Sequence, residues 1–492
     1  MHDENLHDMF SKITPDNSLQ DRIMDRIEGQ EMKKSTIKKT GRTAMVAAAL
    51  IAALATSAFA MTPTGQETIS SIIAYFQNDH ATEMTSMEEL AKYNEEIGKS
   101  FSKDGYTITL DNVAADDNFV HVFYTIKSDS VPFYEGDTPK ASMYSDAMRG
   151  PQMNVDIAIN GEMAGWNANH NTVDGYFVDN YTYKSAAKYN VAGMDIPDIF
   201  KVEMFGEVVQ PDGELSETYL KLFKMDGYAE MTEEDKASLW YVAADVDKAK
   251  VKVESVTKDI NAKLTWVNGT LEKAVFSPFG NQLVISTEAS ADSDAALRAD
   301  LFALFDENGT SLDIINTDLR GGMDGSSRNS LEFLKADKDT SKLKLVPLKF
   351  NEHGDANVPE LPVGTYPLTY KVNNYGSVVV TDIRFKDGEI DIDYYKDGFV
   401  MYDPGFDLMD VNGERVEPGG KLGCVLYHDV HYDTNSYTAR YVYDALDENG
   451  KPIPMDDSLK AENLKNKLKT LGVVEQMYVE LDYDNALEVS LK

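Results

Sequence analysis

The chain has 492 residues, a formal net charge of −36 and a single cysteine, Cys424. That length exceeds one ordinary domain, and a lone cysteine excludes an internal disulfide framework. The acidic balance argues against nucleic acid or anionic lipid as a partner.

Residues 1–42 balance eight basic against eight acidic side chains, so the whole excess of charge falls beyond them. Leu6, Met9, Phe10 and Ile13 stand at i, i+3, i+4 and i+7, one stripe of a helix. Thr14-Pro15-Asp16-Asn17 breaks it, and Ser18 with Asp21 resembles a capping box that opens a second helix. That helix presents Leu19, Ile23 and Ile27 with Met24 beside them, and Gly29 ends it. Isolated helices below about 12–15 residues are marginal, so these apolar faces need a partner. Residues 1–31 carry eight acids and three bases, which disfavours anionic lipid and favours a protein groove. A disordered tail is the other reading.

Residues 43–61, TAMVAAALIAALATSAFAM, contain no charge and follow Lys33, Lys34, Lys38, Lys39 and Arg42. As a helix they span about 28 Å, close to the bilayer core of about 30 Å. The basic residues keep the N-terminus cytoplasmic and put everything after Met61 outside. Nine of the nineteen residues are Ala, so insertion is weak. Ala58-Phe59-Ala60 has the form of a signal-peptidase site, but an n-region of 42 residues is far too long for a signal peptide. An uncleaved single-pass anchor in the cell membrane is favoured. Pro63 and Gly65 just beyond it leave backbone open to a protease.

Helical patterns follow at 62–76 and 87–97, and beyond Ser100 the periodicity becomes that of strands. Residues 105–126 alternate Tyr106, Ile108, Leu110, turn at Asp116-Asp117-Asn118, then alternate Val120, Val122, Tyr124, Ile126. The same strand–turn–strand layout recurs at 270–286 and 378–395, and Asn160-Gly161, Asn308-Gly309 and Asn412-Gly413 read as hairpin turns. The predicted class is mainly β: tandem Ig-like β-sandwich modules outside, one transmembrane helix and a short helical cytoplasmic segment. The expected borders are 1–42 cytoplasmic, 43–61 transmembrane, 62–100 juxtamembrane helices, then modules at 101–250, 258–372 and 376–492. A helix at 458–471 and a strand at 474–483 complete the last module.

Little in the chain suggests chemistry. His428 and His431 would point to opposite faces of a strand. The acidic runs at 292–294 and 407–414 do not match a calcium-binding loop. Trp166, Trp240 and Trp266 read as packing residues. No nucleophile, phosphate loop or zinc motif stands out, so no catalytic, cofactor or metal residue is nominated.

SLQDRIMDRI (18–27), the basic patch and anchor, and ELAKYNEEIGKSFSKDGYTITLDNVAADDNFVHVFYTIKSD (89–129) resemble single-pass anti-sigma-factor-like membrane proteins of Gram-positive bacteria. LWYVAADVDKAK (239–250) and LEKAVFSPFGNQLVIS (271–286) continue that resemblance. It implies a non-enzymatic regulator whose cytoplasmic helices bind an extracytoplasmic-function sigma factor and whose outer β modules sense or dock. The His-x3-Cys-x2-Cys motif of the best-defined anti-sigma domains is missing, since residues 1–42 contain no cysteine. The rival reading is an anchored or secreted cell-surface binding or structural protein.

Overall fold

In a computed structural model of the chain, alternating apolar residues pair into sheets from Asn94 onward. The structure describes residues 94–491 except 134–151, 164–170, 192–195, 210–213, 223–227, 229–230, 248–254, 278, 289–298, 322–325, 337, 356–358, 402, 417–422, 433, 445–456 and 475–476. All of them lie in the second of the chain's two units, Asn78–Lys492. The described part is mainly β. None of its helices is long and apolar enough to cross a membrane, and the segment 43–61 lies outside the described residues.

The first group of strands comprises β1 (Asn94–Lys103), β2 (Tyr106–Ala115), β3 (Phe119–Ser128), β4 (Gln152–Ile159), β5 (Glu162–Met163), β6 (Asn171–Asp179), β7 (Thr182–Asn190), β8 (Ile199–Val209) and β9 (Trp240–Asp247). They form a five-stranded sheet, β1-β2-β3-β7-β6, and a four-stranded sheet, β5-β4-β8-β9. Ile108, Leu110, Val122 and Ile126 of one meet Ile157, Val202, Met204 and Val242 of the other in a single core. Each such aliphatic side chain removed from water contributes about 1.5–3 kcal/mol. Two short helices, α1 (Glu217–Lys221) and α2 (Glu233–Ser238), bridge β8 to β9. A small core of Tyr219, Leu222, Met231 and Leu239 gathers there with Phe205 and Ala158.

The second group is β10 (Val256–Lys263), β11 (Gly269–Phe276), β12 (Asn281–Thr287), β13 (Phe302–Phe305), β14 (Ser311–Leu312), β15 (Ile314–Gly321), β16 (Ser327–Phe333) and β17 (Lys342–Asp355). The third is β18 (Leu361–Pro362), β19 (Leu368–Lys371), β20 (Gly376–Lys386), β21 (Glu389–Gly398), β22 (Phe406–Met409), β23 (Gly423–His431), β24 (Ser436–Asp444), α3 (Ala461–Lys467), β25 (Thr470–Val473), β26 (Met477–Leu481) and β27 (Leu487–Ser490). Their five-stranded sheets run β10-β11-β12-β16-β15 and β19-β20-β21-β24-β23, the same order as the first. The repeated hairpins at 105–126, 270–286 and 378–395 are β2-β3, β11-β12 and β20-β21.

A bulge recurs with the repeat. Register shifts between Leu110 and Asn112, Leu271 and Lys273, and Val380 and Asp382 insert one residue at a corresponding place in each hairpin. The inserted residue flips the side-chain parity. Tyr106, Ile108 and Leu110 face the core before it, and Val113 and Ala115 after it. The Asn160-Gly161 pair, with φ of 52° and 92°, makes the tight β4-β5 turn expected of a two-residue hairpin loop.

Three local expectations are corrected. The helical pattern at 87–97 gives way to β1 from Asn94, because Asp104-Gly105, with φ of 49° and 80°, folds β1 back on β2 as a hairpin. The expected helix at 458–471 shortens to a 3-10 turn, Asp457–Leu459, and α3; Thr470 and Leu471 pair with β22 instead. The C-terminal strands do not stay with the third sheet pair. β26 and β27 both pair with β17, and Val489 and Leu491 enter the second core.

Candidate functional site

Two buried polar nodes join residues of different sheet pairs. In β7, Lys188 lies directly opposite His121 of β3 and points away from the first core. Its Nζ donates to Glu332 Oε1 of β16 at 2.5 Å and to the Tyr432 hydroxyl at 2.8 Å, and that hydroxyl donates to the same Glu332 oxygen at 2.7 Å. One residue from each sheet pair thus meets at one point. The ammonium also sits 3.9 Å from the centre of the Phe119 ring.

Turns seal this node. Asp116 Oδ1 accepts the backbone N–H groups of Asn118 and Phe119, and its Oδ2 accepts the Ser277 hydroxyl of the next repeat at 2.5 Å. Asn118 Nδ2 donates to the Gly280 carbonyl at 2.8 Å. Gly280 has φ of 137°, and a Cβ there would lie 2.6 Å from Glu332 Oε1 and 2.9 Å from Phe119. His121 is fully buried, stands edge-on to Phe279 at 5.0 Å, and neither ring nitrogen has a hydrogen-bond partner among the described residues.

Electrostatics follow from the burial. His121 is held well below its ordinary pKa by burial and then by the Lys188 charge. Burial also lowers Lys188, against the opposing charges of Glu332 and Asp116. Burial pushes Asp116 up to about 6 against its hydrogen bonds.

The second node joins the second and third sheet pairs. Asp313 Oδ2 is 2.9 Å from Lys335 Nζ and accepts the Tyr437 hydroxyl at 2.8 Å. Lys335 also donates to the Lys396 carbonyl at 2.9 Å, and Lys396 Nζ pairs with Asp403 at 2.8 Å. Tyr437 stacks on Tyr394 with centroids 5.2 Å apart. This node borders a cleft of about 330 Å³ lined by Asp300, Ser311, Asp313, Phe399, Met401 and Asp403, among others. Burial pushes Asp300 up to about 6, with the Asn329 amide opposing at 2.7 Å. Asp403 is driven up by burial, but the Lys396 charge and hydrogen bond override this and leave it lowered.

The residues expected to bind a sigma factor, Leu6, Met9, Phe10, Ile13, Leu19, Ile23, Met24 and Ile27, lie outside the described residues, as do Lys33, Lys34, Lys38, Lys39 and Arg42. His428 and His431 are engaged separately: His428 Nδ1 is 3.4 Å from the Tyr394 hydroxyl, and His431 Nε2 is 2.8 Å from Thr438 Oγ1. In the acidic run near Asp407, Asp407 pairs with Arg415 and Asp410 accepts the backbone N–H groups of Asn412 and Glu414. Among the described residues no cluster of three or more metal-ligating side chains occurs. Trp240 is buried and donates to the Tyr106 carbonyl, while Trp266 packs on Phe302; Trp166 lies outside the described residues.

Sequence reading nominated neither node. Glu332 stands between Leu331 and Phe333, and Lys188 follows Ala186 and Ala187. A lone charge in an apolar run is a signal for a buried ion seeking a partner. The partner itself is 144 positions away.

Residues 33–128 match the family described as Domain of unknown function (DUF4179), a span that runs from the basic residues through 43–61 and to the end of β3. A solved structure, the conserved domain protein from Bacillus anthracis, is 15% identical, with 55% of this chain and 82% of that chain covered and a TM-score of 0.33. No curated protein matches.

Proposed function

We propose that the chain is a membrane-anchored, anti-sigma-factor-like regulator. Residues 1–42 are cytoplasmic and hold an extracytoplasmic-function sigma factor, 43–61 cross the membrane, and the outer Ig-like modules sense or dock. The observation that carries this reading is the span of the family match. It takes in the basic patch, the uncharged segment and the first three strands together. A unit of that composition links an anchor to an outer β domain.

The test is recovery of partners by the full chain, tagged at its N-terminus, from solubilised membranes of its host. The reading expects a sigma factor to co-purify, and expects the complex to be lost when Leu6, Phe10, Ile23 and Ile27 are changed to Asp. If no sigma factor is recovered, the anchored surface protein becomes the better account. Signal transfer is proposed to run through proteolysis near Pro63 and Gly65. An N-terminal fragment ending near the anchor should accumulate under envelope stress; a tag that stays on full-length chain while the sigma factor is active would require a conformational route.

A further inference from the structure

On the cleft beside the second node, Asp300 makes no ion pair among the described residues. Asp313 is answered by Lys335 and Asp403 by Lys396. The side chain of Asp300 has one hydrogen-bond partner among the described residues, the neutral amide of Asn329. Ser311 lines the same cleft, is 5% exposed, and its hydroxyl has no hydrogen-bond partner among the described residues. A carboxylate drawn out of water without a cation is costly, and so is a buried hydroxyl without an acceptor or donor.

We propose that this cleft binds a small organic cation, a primary amine carried on an apolar body, with Asp300 as its counter-charge. The apolar part of the wall includes Phe302, Phe399 and Met401. Aromatic and thioether groups suit both a hydrocarbon body and an adjacent ammonium. A volume of about 330 Å³ falls at the lower end of ligand pockets, the range of a single ring or short chain. An anion would meet the unbalanced carboxylate, and a neutral hydrocarbon would leave Asp300 without a counter-charge and the buried Ser311 hydroxyl without a hydrogen bond among the described residues. Because the second sheet pair supplies Asp300 and Ser311 and the third supplies Phe399 and Met401, an occupant bridges the two. This inference deepens the sensing half of the proposed function and rests on it only for its biological meaning, since binding is read without the sigma factor.

The test is titration calorimetry on the full chain in detergent, with 2-phenylethylamine as probe and 2-phenylethanol as its neutral counterpart. The amine should bind at least about tenfold more tightly than the alcohol, one ion pair's worth of discrimination. Asp300→Asn should erase that preference, and Ser311→Ala should weaken the amine by a smaller factor. No binding of the amine, equal binding of the alcohol, or unchanged amine affinity in Asp300→Asn would each overturn the proposal. The alcohol comparison uses the unaltered chain, so it decides the matter even if the Asp300 variant misfolds. A failed partner recovery with intact amine binding would instead count against the sigma-factor reading alone.

Discussion

The two nodes use the same parts, a lysine, a carboxylate and a tyrosine hydroxyl, in different surroundings. At the first, the side chains of Lys188 and Glu332 are 1% and 0% exposed, and the Phe119 and Tyr432 rings and Gly280 close over them. At the second, Lys335 is 17% exposed and its partner Asp313 borders an open cleft. The difference teaches that an ion pair's effect on a structure depends on what surrounds it. A sealed pair cannot lose one member, because the survivor has no water to turn to. A pair on a cleft can, and the cleft stays available to something else.

The sharpest way to break the comparison is to remove one carboxylate at each node and measure unfolding of the full chain. Glu332→Ala should destabilise by about 3–5 kcal/mol, the cost of stranding a buried lysine. Asp313→Ala should cost less, about 1–3 kcal/mol, because Lys335 can reach solvent. Replacing Lys188 and Glu332 together by Met and Leu should recover much of the first loss. Equal losses at the two nodes would show that the cleft gives no relief.

Next in size is Gly280→Ala. The added methyl meets Glu332 Oε1 and the Phe119 ring, and φ of 137° disfavours any side chain. A loss of about 1–3 kcal/mol is expected, read as a shifted denaturation midpoint. A neutral result would mean that the turn can move without disturbing the node.

The pH dependence gives a smaller effect. His121 is folded in its neutral form, with its pKa well below the ordinary value. The unfolded chain therefore binds more protons below about pH 6.5, and the folded state loses stability as pH falls through that point. The wild-type chain should fall behind His121→Leu by up to about 1.4 kcal/mol per pH unit until the folded pKa is reached. Asp116 acts oppositely: its pKa is raised to about 6, so the stability it contributes at low pH is lost as pH rises through that value. That term is common to both proteins and largely cancels in the difference. Parallel pH profiles would show that His121 has access to water or a partner.

The smallest effect belongs to the exposed pair Lys263 and Glu288, whose side chains are 66% and 60% exposed. Substituting either by Gln should leave the midpoint unmoved, since solvent screens such pairs.

Much of the β architecture is legible locally. Alternation in 105–126, 270–286 and 378–395 and the Asn160-Gly161 turn lead to the strands and hairpins that the structure contains. The helix expected at 87–97 shows where local reading fails. Residues 94–97 carry a helix-compatible stripe, yet Asp104-Gly105 seven positions beyond Ile97 closes a hairpin, and pairing with β2 outweighs the propensity of four residues. The candidate site was not legible, because neither cleft wall is a motif.

The sequence by itself determined the period of the strands, the places of the tight turns and the threefold recurrence of one hairpin, since each depends on neighbours within a few positions. Tertiary structure alone decided which charges are buried together. Lys188 meets Glu332 and Tyr432 across separations of 144 and 244 positions, and β27 crosses back to β17. Such contacts are set by how whole sheets pack on one another, and no local pattern in the chain encodes the distance between them.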